Sequence, residues 1–123
     1  MDHRTNKAWQ RAGDLAMLVH EATKVFPREE LCGMTSQIRR AAVSGAANIA
    51  EGSGRGSTKD YLRFLYMARG SLKEVEYYIH LAQRLRYLTE GEGKRLRGPD
   101  GHAGRTLQGL VKHWESEVEE KGE

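Results

Sequence analysis

The sequence has one cysteine and two prolines among its 123 residues, and aromatic side chains make up 7% of it. A single cysteine, Cys32, rules out an internal disulfide and agrees with a reducing compartment; it reads as a spare, partly buried thiol rather than a nucleophile. No apolar run reaches the roughly 20 residues of a membrane-spanning helix. The first residues, MDHRTNKAW, are polar and lack an apolar signal region. The expectation is a cytoplasmic protein with no membrane partner.

Catalytic and cofactor motifs are also missing. The stretch Gly52-Ser53-Gly54-Arg55-Gly56 is glycine-rich and precedes a helix, but no strand leads into it and no Gly-Lys-Ser/Thr closes it. The five histidines form no Glu-x-x-His pair, which disfavours a di-metal centre of the ferritin type. Ser44, Ser53 and Ser57 have no nucleophile-elbow context. The chain therefore reads as a non-enzyme with no cofactor and no metal. The least favoured alternative is an enzyme with Arg40, Asn48 and Glu51 as its site.

What is present is charge and helical pattern. Residues 1–114 carry 19 Lys/Arg against 12 Asp/Glu, a net +7, while residues 115–123 carry one Lys and five Glu, a net −4. A basic body suits an anionic partner such as nucleic acid. A solvated helical surface is the bland reading of the same composition.

Four helices are expected in one domain spanning 1–123, with no internal repeats. The first runs from about Thr5 to Val25, with Ala8, Ala12, Leu15, Val19 and Ala22 on one stripe and Pro27 ending it. The second starts near Thr35 or Ser36 and runs to Glu51. It is rich in small residues, and Gln37, Asn48 and Glu51 could form a buried polar network. Ser57 caps the third, with Asp60 three residues on. That helix is expected from Thr58 to about Leu88, with Tyr61, Leu65, Ala68, Leu72, Val75, Ile79 and Ala82 stepping by four and three. Gly70 in its middle suggests a close helix crossing, with a kink as the alternative.

Residues 91–104 hold five glycines and the turn signal Pro99-Asp100-Gly101, and read as a loop or irregular segment. The last helix then covers about Arg105 to Glu119, followed by a mobile acidic tail at 119–123. These lengths leave part of the third helix unpartnered, a reason to expect self-association. The fold class is all-α, an up-down-up-down four-helix bundle.

Gln37-Ile38-Arg39-Arg40-Ala41, Asn48-Ile49-Ala50-Glu51-Gly52, Arg55, Phe64-Leu65 and Ala68-Arg69-Gly70-Ser71-Leu72 occur in that order, with Glu74 and Glu76 beyond them. With Trp9, Phe26-Pro27 and Leu107 to Leu110, these blocks resemble the four-helix-bundle family of 23S rRNA intervening-sequence proteins. The accessory proteins of diversity-generating retroelements are related to that family. Gly45-Ala46 stands where the family commonly has Ile-Pro. The resemblance implies a ring-shaped homo-oligomer, most simply a pentamer. Its implied partners are ribosomal RNA or a reverse transcriptase.

The candidate nucleic-acid-binding residues are Arg55, Lys59, Arg63, Arg69, Lys73, Arg84 and Arg86. Arg55, Lys59 and Arg63 are spaced by four at the start of the third helix, and Arg69 and Lys73 repeat that spacing. Such rows can follow a phosphate backbone in RNA or DNA. No recognition-helix motif accompanies them, so base-specific readout is not implied. The alternative is a purely structural or protein-interaction bundle whose cations make internal pairs.

Overall fold

The computed structural model describes residues 1–121; Gly122 and Glu123, part of the expected acidic tail, lie outside the described residues. Four helices make up the fold: α1 (His3–Ala22), α2 (Met34–Ser53), α3 (Thr58–Arg84) and α4 (Glu90–Lys121). Two single 3₁₀ turns, Thr23–Val25 and Arg28–Glu30, fill the link between α1 and α2. Each helix packs on its neighbour in the chain, and α4 closes back on α1. The result is an all-α four-helix bundle.

Its core is one cluster built from the stripes visible in the sequence. Leu15 and Val19 of α1, Ile38 and Ile49 of α2, and Leu65, Val75 and Ile79 of α3 are all fully buried there. Full burial of each such side chain is worth about 1.5–3 kcal/mol. Small residues set the spacing of the helices. A Cβ on Gly52 would lie 2.7 Å from the Phe64 Cβ, and one on Gly45 would lie 3.0 Å from a Leu72 methyl. The α2–α3 packing is therefore as close as these glycines allow.

α1 is capped by Asp2, which accepts from the Thr5 amide at 2.9 Å. The Thr5 hydroxyl also hydrogen-bonds the Tyr61 hydroxyl, tying α1 to α3 in the interior. Ser57 caps α3 as its spacing predicts, accepting from the Asp60 amide at 3.1 Å. α2 differs from expectation. It starts one residue before Thr35 on a Gly33 cap that offers no side-chain bond, and the Glu30 carboxylate instead accepts from the Met34 amide at 3.2 Å. Cys32 in this link is exposed, not partly buried.

The largest correction concerns residues 91–104. They form no loop: α4 is one helix of 32 residues that runs through Pro99. Pro99 forfeits one intrahelical bond, yet Leu96, Asp100, Ala103, Leu107 and Leu110 step by four and three along one buried face. Burial of that face outweighs the glycines and the proline. The close α3–α4 contact explains one of the glycines, since a Cβ on Gly93 would lie 2.4 Å from the Gln83 Cδ. Residues 119–121 are likewise helical.

A longer α4 changes what α3 exposes. The seam from Tyr61 to Ala82 is buried within the single chain, and none of its seven residues exceeds 8% exposure. The unpartnered stripe expected on α3 does not exist. α3 also ends earlier than Leu88. The Tyr87 amide bonds the Ala82 carbonyl at 2.8 Å and the Arg86 amide bonds the Gln83 carbonyl at 3.0 Å. This is a Schellman stop, with Arg86 at φ 64° where glycine is usual.

Candidate functional site

With the seam of α3 buried, its opposite face meets solvent, and that face has a regular composition. Lys59, Arg63, Tyr66, Gly70, Lys73, Tyr77, His80 and Arg84 step by four and three from one end of α3 to the other, and all are exposed. The stripe mixes cations with aromatic rings: Tyr66 is 39% and Tyr77 57% exposed. Gly70 lies at its middle, where an added Cβ would meet nothing within 4 Å. No helix crosses there, contrary to the expectation for this glycine.

The seven candidate residues do not form one patch. Residues 58 to 84 cover about 40 Å at 1.5 Å per residue, so Arg55 and Arg84 lie at opposite ends. Arg55 is largely committed: it pairs with Glu51 at 3.0 Å and Asp60 at 3.7 Å, and its guanidinium sits 4.5 Å from the Phe64 ring centre. Arg63 shares both Asp60, at 2.8 Å, and the other stacking distance to Phe64, 4.7 Å. Lys73 stands 3.9 Å from Glu76 and is three-quarters exposed. Lys59, Arg84 and Arg86 are exposed and make no ion pair among the described residues.

Arg69 and Lys73 turn toward α4 and line a cavity of about 390 Å³ between the two helices. Arg105 joins them from α4, and Gly101 and Gly104 leave the α4 wall open. Arg69 donates to Gln108 Oε1 at 3.1 Å and lies 4.9 Å from the Tyr66 ring centre. A second hollow, lined by Lys73, Glu76, Tyr77, His80 and Arg97, continues along the same groove. Beyond Arg105 the cationic surface extends onto α1. Arg11 foremost, then burial, Arg105 and Lys7 hold His102 below its ordinary pKa. Tyr66 donates to Glu115 at 2.7 Å, and that bond to a carboxylate holds the phenol above its usual pKa.

The floor of the 390 Å³ cavity is Asp100, at 4% exposure. Burial foremost, then the Glu76 carboxylate, raises its pKa to about 7, with Lys73 opposing. Asp100 was missed at the sequence level because Pro99-Asp100-Gly101 reads as a turn. The signal that could have found it is the stripe Leu96-x-x-x-Asp100-x-x-Ala103-x-x-x-Leu107, where an acid takes a core position. Tyr66 and Tyr77 were missed because only the cations of the exposed α3 face were followed, and Arg105 because it matters only once α3 and α4 lie side by side.

Arg40, Asn48 and Glu51 share no cleft. Arg40 bonds Glu74, Asn48 donates to the Ser44 carbonyl at 2.9 Å, and Glu51 pairs with Arg55. The buried network expected of Gln37, Asn48 and Glu51 is absent too, since Gln37 and Glu51 are exposed. No group of three metal-ligating side chains occurs among the described residues. No helix of the described residues is long and apolar enough to cross a membrane.

The family model of the 23S rRNA-intervening sequence proteins matches residues 4–109, most of the four-helix unit. The chain belongs to that family. For this intervening-sequence family member, a comparison with curated proteins found no match. Among solved structures it is similar to a protein of unknown function from the S23 ribosomal protein family of Bacteroides thetaiotaomicron VPI-5482. The two share 23% identity with a TM-score of 0.80, over 89% of this chain and 98% of the other. At that identity the likeness establishes the fold. Neither the family nor this neighbour indicates a catalytic class.

Proposed function

We propose that this chain is a non-enzymatic bundle that holds nucleic acid along the exposed face of α3 and the α3–α4 groove. The observation that carries the reading is the exposed stripe from Lys59 to Arg84, which holds four Lys/Arg with Tyr66, Tyr77 and His80 among them. Cations follow phosphates, and exposed rings stack on bases of a single strand. Lys73, Arg97 and Arg105 add positive charge in the groove beside it, partly offset by Glu76. The family description points toward ribosomal RNA as the source of the strand. A reverse transcriptase bound to its nucleic acid is the alternative partner. Exposed Met17, Val43 and Met67 favour self-association, and a homopentameric ring in the cytoplasm is the assembly we propose. Symmetry would then multiply a weak single site.

A second reading is a protein-interaction bundle without nucleic acid. The internal pairs of Arg55, Arg63 and Lys73 favour it. A salt titration of fluorescence anisotropy with mixed-sequence RNA and DNA separates the two. Binding should weaken with salt, with a slope of roughly −0.7 per phosphate neutralised on a single strand. Lys59→Glu with Lys73→Glu should weaken binding without changing helicity. Removing residues 115–123 should leave binding equal or tighter, since it deletes five carboxylates and frees the Tyr66 hydroxyl from Glu115. No binding at low salt would leave the interaction-only reading.

A further inference from the structure

Asp100 occupies a position on α4 that every packing argument assigns to an apolar side chain. Its neighbours on the buried stripe are Leu96, Ala103 and Leu107. It is 96% buried, yet its Oδ1 has no hydrogen-bond partner. A buried polar atom left unpaired is costly, and native structures contain few without a reason. Lys73, whose charge favours the ionised carboxylate, makes no ion pair with it. Asp100 also lines a cavity of about 390 Å³ that glycines keep empty, a volume within the roughly 300–1,000 Å³ of small-molecule sites.

The surrounding charges restrict what could enter. Arg69, Lys73 and Arg105 line the cavity and repel a simple cation. Asp100 and Glu76 repel a simple anion from its interior. A molecule with phosphate at one end and a hydrogen-bond-donating edge at the other satisfies both. A nucleotide has that form, and the bases differ at the edge that matters. A carboxylate accepts from two adjacent N–H groups at once on guanine, at N1 and N2. Adenine and cytosine place an acceptor beside their amino group, and uracil flanks its single N–H with two carbonyls.

We propose that the α3–α4 cavity is a guanine-nucleotide subsite: an entering nucleotide draws the Asp100 carboxylate, whose Oδ1 is closed off in this structure, out to accept from the base edge, while Arg69, Lys73 and Arg105 hold phosphate. It rests on the nucleic-acid reading and adds base preference to it. The guanine could belong to a strand crossing the groove or to a free nucleotide, and the chemistry at Asp100 is the same.

The test is calorimetric titration at pH 8 with GMP, AMP, CMP and UMP, and with oligouridylates lacking or containing one guanine. GMP should bind at least about tenfold tighter than the other three, the discrimination typical of a bidentate base contact. Asp100→Asn should lose that preference. Gly104→Leu should abolish GMP binding with the fold intact, because a side chain at Gly104 meets no neighbour and would fill the cavity. A strand-borne guanine makes the guanine-containing oligouridylate the tighter ligand, and a free nucleotide makes it GMP. Equal affinity for GMP and AMP, or GMP binding unchanged in both variants, overturns the subsite. If mixed-sequence RNA then still binds in a salt-dependent way, the broader reading stands; if it does not, both fall.

Discussion

Thr89 and Glu92 cap each other at the start of α4. The Glu92 amide donates to Thr89 Oγ1 at 3.1 Å, and the Thr89 amide donates to Glu92 Oε1 at 2.7 Å. These reciprocal bonds satisfy two donors at once. They also favour the ionised carboxylate and hold Glu92 below its ordinary pKa. Helix α4 needs this start because Gly91 and Gly93 fall in its first turn and Gly98 follows about two turns in. Thr89→Ala should cost about 1 kcal/mol, read as a fall in Tm of roughly 3–6 °C by circular dichroism.

Asp100 makes stability depend on pH in an unusual direction. Its folded pKa of about 7 lies above its ordinary value of 3.8. Below about pH 4 both folded and unfolded chains carry the proton. As pH rises the unfolded chain ionises first, so this group's contribution falls between about pH 4 and 7 and then levels off. A shift of that size corresponds to something on the order of 4 kcal/mol. The charged groups facing Asp100 are Arg69, Lys73 and Glu76 from α3 and Arg105 from α4. Denaturant melts from pH 4.5 to 8 should show wild type losing stability relative to Asp100→Asn across that window. A constant difference would mean that Asp100 titrates normally.

Two glycines on facing helices should respond oppositely to alanine. Gly70 is exposed, and an added methyl touches nothing, so Gly70→Ala should gain about 1 kcal/mol from helix propensity alone. At Gly52 the methyl would meet Phe64 Cβ at 2.7 Å and the Tyr61 carbonyl oxygen at 3.3 Å. Gly52→Ala should therefore lose about 1–3 kcal/mol through forced separation of α2 and α3. Urea midpoints of the two variants check both signs.

Arg86 holds a backbone conformation that favours glycine. Arg86→Gly should stabilise the fold by about 1 kcal/mol while removing one exposed cation. Thermal melts and the salt slope of RNA binding, measured on the same variant, separate the two effects. A loss of stability would show that the Arg86 side chain contributes contacts beyond its backbone.

These residues also show where sequence reading succeeds and where it stops. The stripes of α1 and α3 were legible because uninterrupted four-and-three spacing has one structural meaning. Ser57 was legible because its capping partner lies three residues away. α4 was not, since Pro99 and five glycines are local signals and the burial that overrides them is tertiary. The end of α3 was missed because arginine stands where a stop is normally announced by glycine. For the candidate site, single-helix spacing picked out Lys59 and Lys73, and it could not find Arg105 or Asp100, which meet Lys73 only across the groove.

The stripe on α3 has a length, and length can be counted in nucleotides. From Lys59 to Arg84 it covers about 38 Å at 1.5 Å per residue. A strand stacked at 3.4 Å per nucleotide would need about eleven to run its course. An oligonucleotide of five or six would reach no farther than Gly70, where the helix offers neither charge nor ring, and would leave Lys73, Tyr77 and Arg84 bare. On the proposed reading, the spacing of side chains on one helix would thus set a minimum footprint.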